Sequence, residues 1–147
     1  MHRIEFIKRC GSGCLGLSLM SGTLLQGCSG AKYVQAPIQD SHLIVPTSAF
    51  EVVKNNLISF RRYVVAQNTA LQFPICIYRN SDEQFLALWM RCTHQGNELQ
   101  AFGDKLQCPA HGSEFTSTGA VQNGPADEPL RSFDVVVAEG QLKISLR

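Results

Sequence analysis

The chain has 147 residues, of which 44% are hydrophobic, 8% aromatic and 17% charged, enough for one modest core; this excludes a disordered chain and a self-contained multidomain enzyme. The 13 Lys and Arg against 12 Asp and Glu give a net charge of +1, with no basic surplus to neutralise a phosphate backbone, so no nucleic-acid partner is expected. Six cysteines are too few for a disulfide-dense miniprotein, so their places matter more than their number: Cys10, Cys14, Cys28, Cys76, Cys92 and Cys108.

Residues 1–27 have the pattern of an export signal. Arg3, Lys8 and Arg9 form a basic start, and the run from Cys14 to Leu25 is apolar and rich in small side chains. That run has the length of a signal-peptide apolar region and is too short to span a bilayer comfortably; a buried core helix is the alternative. Arg3, Phe6, Ile7 and Lys8 resemble a twin-arginine export motif with Ile4 where the second Arg belongs, or they are ordinary residues of a basic start. The run ends in Leu25-Gln26-Gly27-Cys28, which resembles the bacterial lipobox, with Gln26 in place of the usual small residue. The resemblance implies that Cys28 becomes the lipidated mature N-terminus and that Cys10 and Cys14 are discarded. It also implies a protein anchored on the periplasmic side of a bacterial membrane. Loss of Arg3, Lys8, Arg9 and Glu5 leaves ten basic and eleven acidic residues, so attachment would come from acyl chains and not from net charge. Residues 29–40 contain Gly, Ser, Ala, Gln and Pro without periodicity and read as a flexible tether. The expected organisation is a signal peptide at 1–27, a lipidated cysteine and tether at 28–41, and one domain at 42–147.

From about Ser41 the chain alternates short apolar runs with turn residues, the pattern of an all-β fold. The segment from Phe50 to Val65 is less regular: Phe50, Val53, Leu57 and Phe60 suit a helical turn running into a strand, with a break at Asn55-Asn56. Phe73–Arg79 and Phe85–Arg91 flank the polar turn 80–84 and predict a hairpin whose second strand, apolar on both faces, is central. Cys76 falls inside the first of these strands and is expected to be a small buried hydrophobe. Phe133, Val135 and Val137, then Glu139-Gly140, then Leu142, Ile144 and Leu146 predict a second hairpin.

Between the two hairpins lie Cys92-Thr93-His94-Gln95-Gly96-Asn97 and Cys108-Pro109-Ala110-His111-Gly112-Ser113. The intervening 99–102 and 105–107 read as strands joined at Gly103-Asp104, a favourable two-residue turn that returns the second loop to the first. Two thiols and two imidazoles can then surround one centre. This pattern, CTH followed by CPxHGS, resembles the Rieske iron–sulfur family. The resemblance extends through Gly124-Pro125-Ala126-Asp127-Glu128-Pro129-Leu130, similar to that family's proline loop, and covers roughly residues 42–147.

The resemblance implies an antiparallel Rieske-type sandwich with a small rubredoxin- or zinc-ribbon-like cluster-binding subdomain and one [2Fe–2S] cluster per chain. Cys92 and Cys108 would bind one iron, and His94 and His111 the other, at an exposed tip. Two neutral ligands in place of two thiolates lower the negative charge that an arriving electron meets, so the potential rises from about −400 mV to about −150 to +300 mV. Each imidazole keeps an outer nitrogen, which couples electron to proton transfer. Thr93, Gly112 and Ser113 would support the cluster, Ser113 by donating to a bridging sulfide. The competing reading is a structural zinc site in an interaction module, since two Cys and two His also suit tetrahedral zinc. Zinc knuckles usually pair like ligands, however, whereas each loop here is mixed.

Members of the cytochrome bc type carry a loop disulfide where this chain has Asn97 and Ala110, and high-potential members have a Tyr where it has Phe115. These departures imply a potential in the middle or lower part of the range and weaken a role in quinol oxidation. The expected function is a membrane-tethered relay of single electrons to or from a redox partner, with no activity of its own. The alternative is an obligate small subunit of a larger oxidoreductase, similar to that of arsenite oxidase or quinol-oxidising.

Overall fold

The computed structural model describes residues 30–147, so the expected signal peptide and Cys28 lie outside the described residues. In chain order the strands are β1 (Tyr33–Gln35), β2 (Ile38–Gln39), β3 (His42–Pro46), β4 (Glu51–Lys54), β5 (Leu57–Phe60), β6 (Tyr63–Gln67), β7 (Ile75–Arg79), β8 (Phe85–Trp89), β9 (Gln100–Phe102), β10 (Lys105–Gln107), β11 (Glu114–Thr116), β12 (Val121–Asn123), β13 (Ser132–Phe133), β14 (Val135–Ala138) and β15 (Gln141–Ser145). A short 3-10 helix spans Thr47–Phe50. The all-β fold expected from the alternating pattern is the fold observed.

A five-stranded sheet in the order β1-β6-β7-β8-β13 forms the middle layer. Because side chains alternate across a strand, β7 sends Ile75 and Ile77 to one face and Cys76 and Tyr78 to the other, and each set enters a different core. The first core lies against a four-stranded sheet ordered β14-β15-β3-β2, where Leu43, Val45, Leu142 and Ile144 meet Val64, Ala66, Ile75 and Ile77. The second lies against the sheet β12-β11-β10-β9, where Leu99, Leu106 and Phe115 meet Val65, Leu88 and Met90. Burying a Leu or Phe from water contributes about 1.5–3 kcal/mol, so each fully buried side chain here helps hold the layers together.

The expected hairpins form. Strands β7 and β8 pair from Ile75↔Trp89 to Arg79↔Phe85, with β8 interior between β7 and β13. Strands β14 and β15 pair around Glu139 and Gly140, both at positive φ, as a tight hairpin turn requires. The first strand of that hairpin is shorter than the alternation predicts. The chain changes sheets at Asp134, so Phe133 pairs with Ala87 of the middle sheet while Val135 pairs with Ile144.

Two expectations are corrected. The helical turn lies at Thr47–Phe50, ahead of the segment where spacing placed it, and Glu51–Phe60 is the β4–β5 hairpin. Asn55 and Asn56 adopt φ of 51° and 60°, so the pair that read as a break is the turn itself. The segment read as a flexible tether up to Asp40 carries strands: β1 pairs in parallel with β6, and β2 pairs with β3. Strand edges in the two sheets supply partners that local composition does not reveal.

Candidate metal centre

Both cysteine and histidine loops are built on one plan. The first spans Cys92–Asn97 and is closed at its root by the Arg91↔Glu98 bridge; the second spans Cys108–Ser113 and is closed by the Gln107↔Glu114 pair of β10 and β11. In the first, Cys92 N donates to Asn97 O and Gly96 N donates to Cys92 O, each at 2.8 Å. In the second, Cys108 N donates to Ser113 O at 2.8 Å and Gly112 N donates to Cys108 O at 3.0 Å. Gly96 and Gly112 occupy matching places at φ of 74° and 80°, conformations that side chains with a Cβ adopt only at a cost. Lys105 donates to Glu114 at 2.6 Å beside the second root.

This plan sorts the four candidate ligands by environment. Cys92 and Cys108 are buried in the second core, while His94 and His111 are exposed at the loop tips. The two rings face each other edge to face, centroids 5.1 Å apart and planes at 86°. The buried thiols are sulfur donors in an apolar wall and the imidazoles are nitrogen donors at the water boundary. A donor set of this kind suits two metal positions of unequal exposure. Among the described residues, no three His, Cys, Asp or Glu side chains converge on one point as a mononuclear zinc site requires.

A third loop, from Gly124 to Leu130, is tied to both others. Thr93 Oγ1 donates to Glu128 O at 2.8 Å from the first loop, and Ala126 N donates to Ser113 Oγ at 3.0 Å from the second. Ser113 is the buried polar residue of the described core. Its oxygen accepts from Ala126, which leaves its proton free to donate toward the ligand loops. A polar group buried without use of its proton would be costly, so the site fits a group carrying an acceptor. Gly124 and Pro125 form the exposed start of this loop. Phe115, fully buried, offers no hydroxyl where the related high-potential pattern has one.

Sequence reasoning found the ligand candidates but not the matched hydrogen-bond frame; the signal was present as a glycine four residues after each cysteine. It also did not foresee Arg91, whose guanidinium lies against Gly96 where an added Cβ would come within 3.0 Å of it, or Tyr78, whose buried hydroxyl meets no hydrogen-bond partner. Cys76 is fully buried as expected, and burial pushes its thiol up to about 12, against a smaller lowering by Tyr78. It faces the second core from the middle sheet as an inert thiol.

The family model described as "Rieske [2Fe-2S] domain" matches residues 50–134. Ferredoxin CarAc of Metapseudomonas resinovorans is 37% identical over 76 residues, covering 49% of this chain and 70% of the ferredoxin. Cytochrome b6-f complex iron-sulfur subunit 2 of Trichormus variabilis is 28% identical over 111 residues, and the matched region spans 74% of this chain but only 56% of that subunit. Among solved structures, the cyanobacterial plasma membrane Rieske protein PetC3 from Synechocystis superposes with a TM-score of 0.50 at 25% identity, over 57% of this chain and 86% of that one.

Proposed function

Since the chain belongs to the Rieske [2Fe–2S] domain family and takes one such cluster, we propose that it is a membrane-tethered relay of single electrons. In this reading Cys92 and Cys108 hold one iron, His94 and His111 hold the other, and Cys28 carries the lipid anchor on the periplasmic side. The carrying observation is the sorting of donors, thiols buried and imidazoles exposed, by two loops with the same hydrogen-bond frame. When bound, the cluster supplies a reversible one-electron couple at about −150 to +300 mV.

The chain's own residues do the rest. The buried cysteines keep the sulfur side in an apolar wall away from water. The exposed imidazoles present an edge at which a partner can make close contact. Ser113 would donate a hydrogen bond to a cluster sulfur, which would favour the more negative, reduced state. Thr93 and Ser113 hold the third loop, with Gly124 and Pro125 at its start, against the two ligand loops.

A second reading, an obligate small subunit of a larger oxidoreductase, is favoured by the exposed apolar residues of the β4–β5 hairpin. Potentiometric EPR with iron analysis on the purified protein tests the redox reading: a reduced-cluster signal and iron are expected, and zinc without iron would overturn it. Mass spectrometry of the Cys28 peptide tests the anchor; an unmodified cysteine would overturn that part alone. Copurification of a stoichiometric partner from solubilised membranes would favour the subunit reading.

A further inference from the structure

We propose that the β4–β5 hairpin rests on the surface of an anionic lipid bilayer and thereby turns the histidine edge toward the aqueous phase. The hairpin forms a two-stranded sheet of its own, from Glu51↔Phe60 to Lys54↔Leu57. By alternation and register, Val53, Ile58 and Phe60 share one face, with Glu51 opposite Phe60 at its base. These three apolar side chains are 67%, 62% and 49% exposed, and Leu57, at the turn on the opposite face beside Lys54, is 73% exposed. Contiguous apolar residues left in water on a folded domain mark a surface that something covers.

Charge and position indicate what covers it. Lys54 and Arg62 are exposed on and beside the hairpin, and the Arg79 guanidinium lies 4.2 Å from the Phe60 ring centroid. Arg79 and Asp82 pair with each other, so the exposed cations left to meet headgroups are Lys54 and Arg62, with Glu51 at the base of the apolar face and Glu83 exposed in the adjacent turn. Apolar side chains set among cations suit the boundary of a bilayer with anionic headgroups. The hairpin also sits at a defined end of the middle sheet. It leads through Arg61 and Arg62 into the start of β6, where Tyr63 aligns with Tyr78 and Tyr78 with Leu86. The first ligand loop leaves from the other end, after Trp89.

The described chain enters at the hairpin's end too, since Val65 N donates to Lys32 O at 2.8 Å beside the start of β6. Cys28 precedes Ala31 by three residues, a reach of at most about 10 Å. A lipid at Cys28 therefore brings the hairpin's end of the domain to the bilayer and leaves His94 and His111 at the far end. This part rests on the anchor reading given above. The electron partner then meets the domain from water, and not within the membrane.

The test uses the membrane-derived holoprotein with Ile58→Cys labelled by an environment-sensitive fluorophore. Val136→Cys, at an equally exposed position on β14, is the control. Vesicles are phosphatidylcholine with or without about one third phosphatidylglycerol. A blue shift and quenching by brominated lipid at position 58, larger with phosphatidylglycerol and absent at 136, are expected. A water-like signal at 58, or equal responses at both positions, would overturn the proposal. So would a response at 58 that arises without vesicles as the chain self-associates, or only on addition of a copurifying protein. An acylated Cys28 with a silent probe sinks the hairpin alone; an unmodified Cys28 with a responsive probe sinks the anchor alone.

Discussion

Replacing Ser113 with Ala removes one hydroxyl from a fully buried position whose oxygen holds Ala126 N at 3.0 Å. A hydrogen bond to an ionised acceptor contributes about 1.5–3 kcal/mol, and about half of that is expected to appear as a preference for the reduced state, which carries one more negative charge. At about 59 mV per tenfold for one electron and about 1.4 kcal/mol per tenfold, the S113A potential falls by about 35–65 mV. The same change leaves the Ala126 amide unpaired, at a cost of about 1–3 kcal/mol in stability.

Thr93→Val separates the two effects. It breaks the other tie to the third loop, Thr93 to Glu128 O at 2.8 Å, but the threonine proton is already used there. Its stability cost is about 1 kcal/mol, with little change in potential. EPR-monitored redox titration beside urea unfolding reads both quantities. An unchanged potential in S113A, or an equal shift in T93V, would refute the reasoning, because loop loosening would then explain everything.

Replacing any of Cys92, His94, Cys108 or His111 with Ala is expected to abolish the cluster signal and reduce bound iron, read by absorbance and metal analysis. Gly119→Ala is expected to cost more stability than Gly112→Ala. Both glycines have positive φ, a cost of about 1–2 kcal/mol for a residue with a Cβ, but only at Gly119 would the Cβ meet a buried side chain, 2.9 Å from Leu88 Cδ2. Equal urea midpoints would contradict this. Alkaline stability follows from Cys76, whose thiol burial raises from 9.0 to about 12, and from Tyr78, raised chiefly by burial as well. The folded chain keeps these protons while the unfolded chain releases them, so stability is whole below about pH 9 and falls by up to about 1.4 kcal/mol per pH unit for the thiol toward about pH 12. Cys76→Ala is expected to flatten the early part of that fall, and urea melts across this range test it. Tyr78→Phe removes a buried hydroxyl that meets no partner at hydrogen-bond geometry and has only the Cys76 thiol beside it, so it is expected to change stability at neutral pH by no more than about 1 kcal/mol.

The hairpins and the ligand loops were legible because their signals are local. Period-two alternation carries β14 and β15, the Gly103-Asp104 turn carries β9 and β10, and the spacing of Cys92, His94, Cys108 and His111 carries the proposed site. What was not legible depends on distant partners. Tyr33–Gln35 lacks a pattern of its own and becomes a strand through the edge of β6. Phe133 and Val135 look like one strand until Asp134 divides them between two sheets. At Phe50–Phe60, four apolar residues with near-helical spacing imitated a helix, and the information was in the two asparagines. The clamps from Thr93 and Ser113 reach Glu128 and Ala126 across 35 and 13 positions, too far for spacing to reveal.

The middle sheet keeps a separate core on each face, one against β3 and β15 and the other against the ligand-bearing layer. Damage can therefore stay on one side of it. With the ligands proposed above, loss of iron would withdraw a crosslink only from the layer containing Cys92 and Cys108, while Leu43, Val45, Leu142 and Ile144 would keep their packing on the opposite face. An iron-depleted chain should accordingly fail in two stages, with amides of β9 to β12 exchanging hydrogen well before those of β3 and β15. Such a half-intact intermediate would be a scaffold on which the metal site could be rebuilt without refolding the remainder.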